Sequence, residues 1–178
     1  MGFVECVGKG KTRTLRIDEA IDSELIIEAE TRGVSVNNLA ESIFEKHLNF
    51  TRWYERLDSI SLTPQTFSAL LEEIDDEVIR EIGQKMGCNA PRMGLMIRGI
   101  PLNMDSARLF IVKILGEYDQ WFDVSYIDQK KPYFYIRNRF GEKWIIFVEA
   151  YLCTFLKECI GVEVTCKRMD NNLQITLD

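Results

Sequence analysis

Donor-only side chains crowd the front of the chain. Lys9, Lys11, Arg13 and Arg16 make half of positions 9 to 16 basic, in a protein of 178 residues with a net charge of −6. Lysine and arginine offer hydrogen-bond donors and no acceptor, so such a cluster seeks anions. The stretch also alternates. Thr12, Thr14 and Arg16 fall on one side of an extended strand, and Leu15 and Ile17 on the other. The negative field of the whole molecule repels nucleic acid, so any contact with it must rest on a local patch that the fold orients.

Other groups with chemical potential are sparser. His47 is the single histidine and reads as a helix-surface or helix-end residue rather than a metal ligand. The five cysteines (6, 88, 153, 159 and 166) are odd in number and irregularly spaced, so no disulfide framework is expected. Cys153 and Cys159 diverge on one helix and meet Cys166 only if a strand runs alongside, so they read as buried thiols. The acidic run at 72–77 reads as a solvated helix face, with a divalent-cation site as the sharper alternative. Arg137, Asn138, Arg139 and Lys143 sit at a strand-to-helix turn and could hold an anion or ligand at a helix N-terminus, or form a plain turn with a positive rim. No catalytic dyad, triad or phosphate loop is visible, which points away from an enzyme. No metal and no cofactor is expected.

The elements that must position these groups follow from periodicity. Hydrophobic residues make up 46% and charged residues 28%, a globular balance, and no apolar run is long enough to span a bilayer. A cytoplasmic protein without a membrane role is expected. Residues 1–8 read as a flexible tail and 11–17 as a strand. Asp18 caps a helix whose stripe is Ile21, Leu25 and Ala29. Gly33 stops it, and Ser35 caps a second helix with Leu39, Ala40, Ile43, Phe44 and Leu48 on its apolar face. A lone strand and two short helices can neither satisfy a ladder nor bury a core. A second copy does both, with strands pairing antiparallel across a two-fold axis. The expected dimer core is Leu15, Ile17, Ile21, Leu25, Ala29, Leu39 and Ile43.

The order and spacing of these features over residues 12–48 resemble the ribbon–helix–helix family of DNA-binding proteins, the group of Arc and MetJ type repressors. The resemblance implies that the paired strands enter the major groove as a ribbon. Thr12, Thr14 and Arg16 would then face base edges. The start of the second helix, Ser35 with Val36, Asn37 and Asn38, would hold a backbone phosphate, and Lys9, Lys11 and Arg13 would add phosphate contacts. Arg13 departs from the pattern: it falls on the inward phase, at a frayed strand end or snorkelling to a phosphate. From Lys9 to Leu48 six basic residues face eight acidic ones, but the acids lie mostly in the helices. Nickel-responsive members of the family carry a His- and Cys-rich second domain, and residues 63–178 here have no histidine.

The expected organisation is a ribbon–helix–helix domain over 9–50, a connector over 51–62 and an α+β domain over 63–178 that oligomerises, senses a small-molecule or protein effector, or both. In the last domain a helix opens at Thr63-Pro64 with the stripe Phe67, Leu70, Leu71, Ile74, Val78 and Ile82, and Gly87 ends it. A strand over 93–100, a helix over 104–118, a hairpin of 121–127 with 132–138, a helix over 142–160 and a final hairpin complete a ferredoxin-like β-α-β-β-α-β-β order. The aromatic strands 121–127 and 133–136 offer a binding surface or simply core. The whole reads as a homodimeric or higher-order regulator of transcription that binds double-stranded DNA. The alternatives are an antitoxin-like protein whose second domain binds a partner protein, and an enzyme with an N-terminal dimerisation arm.

Overall fold

The structure is a computed structural model that describes residues 10–57 and 59–178. Lys9, the tail and Cys6 lie outside the described residues. The chain divides into two compact units between Ser59 and Ile60, and its class is α+β.

In the first unit the local signals act as the sequence indicates. The Asp18 carboxylate accepts from the Ala20 amide at 2.9 Å and opens α1 (Glu19–Arg32). Gly33, at φ 67°, turns the chain left-handed, and the Val34 amide reaches back to the Ala29 carbonyl. Ser35 then caps α2 (Val36–Lys46), its hydroxyl accepting from the Asn38 amide at 3.2 Å. Residues 10–18 form neither helix nor ladder within the chain.

The connector expected over 51–62 begins later. A π-wound turn, His47–Thr51, carries α2 into α3 (Arg52–Arg56). Trp53 explains the extension. It is buried, its indole N–H donates to the Leu48 carbonyl at 3.0 Å, and the Arg52 and Arg56 guanidiniums lie 4.7 and 4.9 Å from its ring centre.

The second unit departs more. Thr63 caps α4 (Pro64–Glu72), with Pro64 in the first turn as expected. The helix stops there, however. Asp75, in extended backbone, precedes a new helix, α5 (Asp76–Met96), whose first turn carries Asp76 and Glu77 against the positive end of the dipole. The acidic run is therefore a helix junction rather than one continuous face. Gly87 does not end α5, and the strand expected over 93–100 is helix as far as Met96. The reason is tertiary. Gly83, Gly87 and Pro91 recur every four residues on the buried face of α5, where α7 (Glu142–Thr154) lies so close that a Cβ on Gly83 would stand 2.8 Å from the Phe147 carbonyl oxygen. Residues that break a helix singly here make a smooth face for another helix.

After α5 come α6 (Met104–Leu109), capped by Asn103 and Ser106, and its π-wound continuation Phe110–Tyr118. Two hairpins follow, β1 (Asp123–Ile127) with β2 (Tyr133–Arg137), and β3 (Val164–Met169) with β4 (Asn172–Leu177). Between them lies α7 with its π-wound end Phe155–Ile160, stopped by Gly161. The sheet order is β1-β2-β4-β3, antiparallel throughout. With no strand at 93–100 there is no split β-α-β unit, so the ferredoxin-like expectation is overturned. Register places Phe134 opposite Ile175 and Ile136 opposite Leu173. These four, with Phe122, Ile111, Leu152 and Phe155, are fully buried and form the core. The aromatic strands thus contribute core on one face. Trp144 centres a ring cluster with Phe67, Trp121, Phe140 and Phe147 and donates its N–H to the Trp121 carbonyl at 2.9 Å.

Tyr151 gives this core an alkaline limit. Burial first, and then the charge of Asp119, push its phenol above the usual range. An unfolded tyrosine releases its proton near pH 10 while the folded one retains it, so this contribution to stability is complete below about pH 10 and is lost as pH rises further. Denaturant midpoints measured from pH 8 to 11 should fall more steeply for the native chain than for Tyr151→Phe.

Candidate nucleic-acid interface

The residues expected to read bases, Thr12, Thr14 and Arg16, are all exposed, as are Lys11 and Arg13. None of the three cations forms an ion pair among the described residues. Beside them Leu15 is 65% exposed and Ile17 45%. Apolar side chains left this open in front of two capped helices are the main anomaly of the first unit. Of the expected dimer core, Ala29 and Leu39 are buried, Leu25 is half-buried, and Ile21 and Ile43 are exposed with Leu15 and Ile17.

At the start of α2 the Asn38 amide is taken by the Ser35 hydroxyl and the Leu39 amide by the Ser35 carbonyl. The amides of Val36 and Asn37 are left to solvent at the positive end of the helix. Of the phosphate grip expected from residues 35–38, these two amides are the donors available; Asn38 has only its side chain to offer. His47 lies exposed where α2 passes into its π-wound turn. No group of three metal-ligating side chains comes together among the described residues.

The turn at 137–143 holds its cations for its own chain. Arg139 pairs with Asp123, and Arg137 lies 3.9 Å from the same carboxylate. The Asn138 side chain accepts from the Phe140 amide and donates to the Gly141 carbonyl. Lys143 donates to the carbonyls of Glu72 at 2.8 Å and Ile74 at 2.6 Å, closing the C-terminus of α4. The four residues are brought together, but as a structural turn. Lys143→Met should therefore lower the unfolding free energy by about 2 kcal/mol, because two carbonyls lose a charged donor; chemical denaturation measures it.

The cysteines also differ from expectation. β3 does run alongside α7, and it brings the sulfurs of Cys153 and Cys166 together, with Cα atoms 7.6 Å apart. The Arg168–Glu149 pair ties the same two elements. Cys88 and Cys159 are free, and the Cys159 thiol donates to the Cys88 carbonyl at 3.3 Å. Burial, then the neighbouring Cys88, raise the Cys159 thiol above its ordinary range, so it is held as a neutral, structural thiol.

One feature of the second unit escaped sequence reasoning. Leu70, Val78 and Ile82, expected on the core stripe, are exposed; Leu71 of the same stripe is buried as expected, and Ile79 and Gly83, outside it, are buried too. The four-residue spacing of Gly83, Gly87 and Pro91 marks the true inner face. Comparison with protein-family models, with curated proteins and with solved structures finds no match to this chain.

Proposed function

We propose that the chain is a DNA-binding regulator of transcription that works as a homodimer in the cytoplasm. Two copies pair their 11–17 segments into an antiparallel ribbon that enters the major groove, and the second unit oligomerises or senses an effector. The observation that carries this is the exposure of Leu15 and Ile17 beside the unpaired cations of the same segment. Pairing across a two-fold axis covers the two apolar side chains against the helices of both copies. It also turns Thr12, Thr14 and Arg16 outward together. The open amides of Val36 and Asn37 then stand where a phosphate passes.

The test is Leu15→Asp combined with Ile17→Asp. Gel shifts with duplex DNA from the chain's own promoter should show loss of binding, with helix content unchanged. A chain that keeps its DNA binding after this change does not form the ribbon.

A further inference from the structure

The outer face of α5 carries an apolar stripe that the fold of its own unit leaves uncovered. At 100° per residue, Val78, Ile82, Met86, Asn89, Met93 and Met96 lie within an arc of about 80°. The glycine face that meets α7 is on the opposite side. Met96 is 68% exposed and Met93 52%. A stripe about 27 Å long on a helix already packed on its other side is a surface built for a partner.

The charges say which partner. The first half of α5 and its cap are acidic, with Asp75, Asp76, Glu77 and Glu81 against Arg80, which lies 3.7 Å from Glu77, and Lys85. The second half carries no acid, and its exposed cation is Arg92. Glu81 and Arg92 share one flank of the stripe. A two-fold axis at Gly87 places Val78 level with the partner's Met96, and Ile82 beside the partner's Met93. It also sets Glu81 beside the partner's Arg92 on the matching flank, twice by symmetry. A parallel pair would set acid on acid. Near the axis Asn89 meets the partner's Lys85, a polar layer that fixes register. The methionines supply apolar surface that adapts to a symmetric mate.

We propose that α5 is an antiparallel, isologous contact with a second copy of this chain. This rests on the assignment of an oligomerising role to the second unit and is independent of the ribbon. Sedimentation of the full chain tests it in the Leu15→Asp, Ile17→Asp background, where ribbon pairing is absent. That chain should remain a dimer at tens of micromolar. Adding Ile82→Asp and Met93→Asp, both on solvent-facing positions, should give a monomer with unchanged circular dichroism. Glu81→Arg alone and Arg92→Glu alone should each weaken the dimer roughly tenfold or more, and the two together should restore it. A monomer in the ribbon-free background with α5 intact overturns the contact, as does a double reversal that restores nothing. Failure of the ribbon shows separately: the N-terminal changes alone then leave DNA binding as it was.

Discussion

Gly87→Ala should destabilise the second unit by about 3 kcal/mol or more, a fall in melting temperature on the order of 10 °C. A Cβ at Gly87 would stand 2.3 Å from the Tyr151 carbonyl oxygen and 2.9 Å from the Tyr151 carbonyl carbon and Cα. These are backbone atoms in the middle of α7, so no rotamer change relieves the overlap. The helices must separate, which opens gaps along the whole interface. Alanine would otherwise favour a helix over glycine by about 1 kcal/mol, so a loss here reports packing against propensity. Gly161→Ala is the control. Its φ is 79°, and nothing lies within 4 Å of the added carbon, so only local strain of about 1 kcal/mol is expected. Thermal melts of both variants should separate the two causes. Equal losses would mean that α5 and α7 are not in such close contact.

The same glycine shows where sequence alone misleads. Gly87 and Pro91 are punctuation when each is read singly, so the helix was expected to end and a strand to begin at 93. Their common spacing with Gly83 is legible only once a second helix is known to press on that side. By contrast, the caps at Asp18, Ser35 and Thr63 were legible because a cap is local: one side-chain oxygen and an amide two or three residues on. Both hairpins were legible for a similar reason, since alternation and a short turn lie within about a dozen residues. At the candidate interface, side-chain type and alternation were readable over 12–17. The split of the amides at 35–38 was not, because it depends on which donor the Ser35 hydroxyl chooses. Nor could composition foretell that Lys143 closes α4 from 71 residues away.

Arg16→Ala should abolish preference for the chain's own promoter while leaving the dimer intact. Arg16 is exposed, carries no carboxylate partner among the described residues, and alternates with Leu15 and Ile17, so its removal touches neither apolar side chain of the proposed ribbon. A guanidinium bidentate to guanine contributes about 1–3 kcal/mol of discrimination, and a two-fold dimer offers two. The expected loss is about 2–6 kcal/mol, roughly thirtyfold or more in specific affinity. Lys11→Ala should behave differently. A phosphate contact carries no sequence information, so its loss weakens specific and nonspecific duplexes alike and lowers the salt slope by about 2 for the dimer. Titrations of promoter and scrambled duplexes at two salt concentrations distinguish the variants. An Arg16→Ala chain that still prefers its promoter at physiological salt would place the reading residues elsewhere. A Lys11→Ala chain that loses specificity first would move the register of the ribbon by one residue. A slip of that kind exchanges the two faces of a strand, and would set Lys11, Arg13 and Leu15 toward the bases in place of Thr12, Thr14 and Arg16.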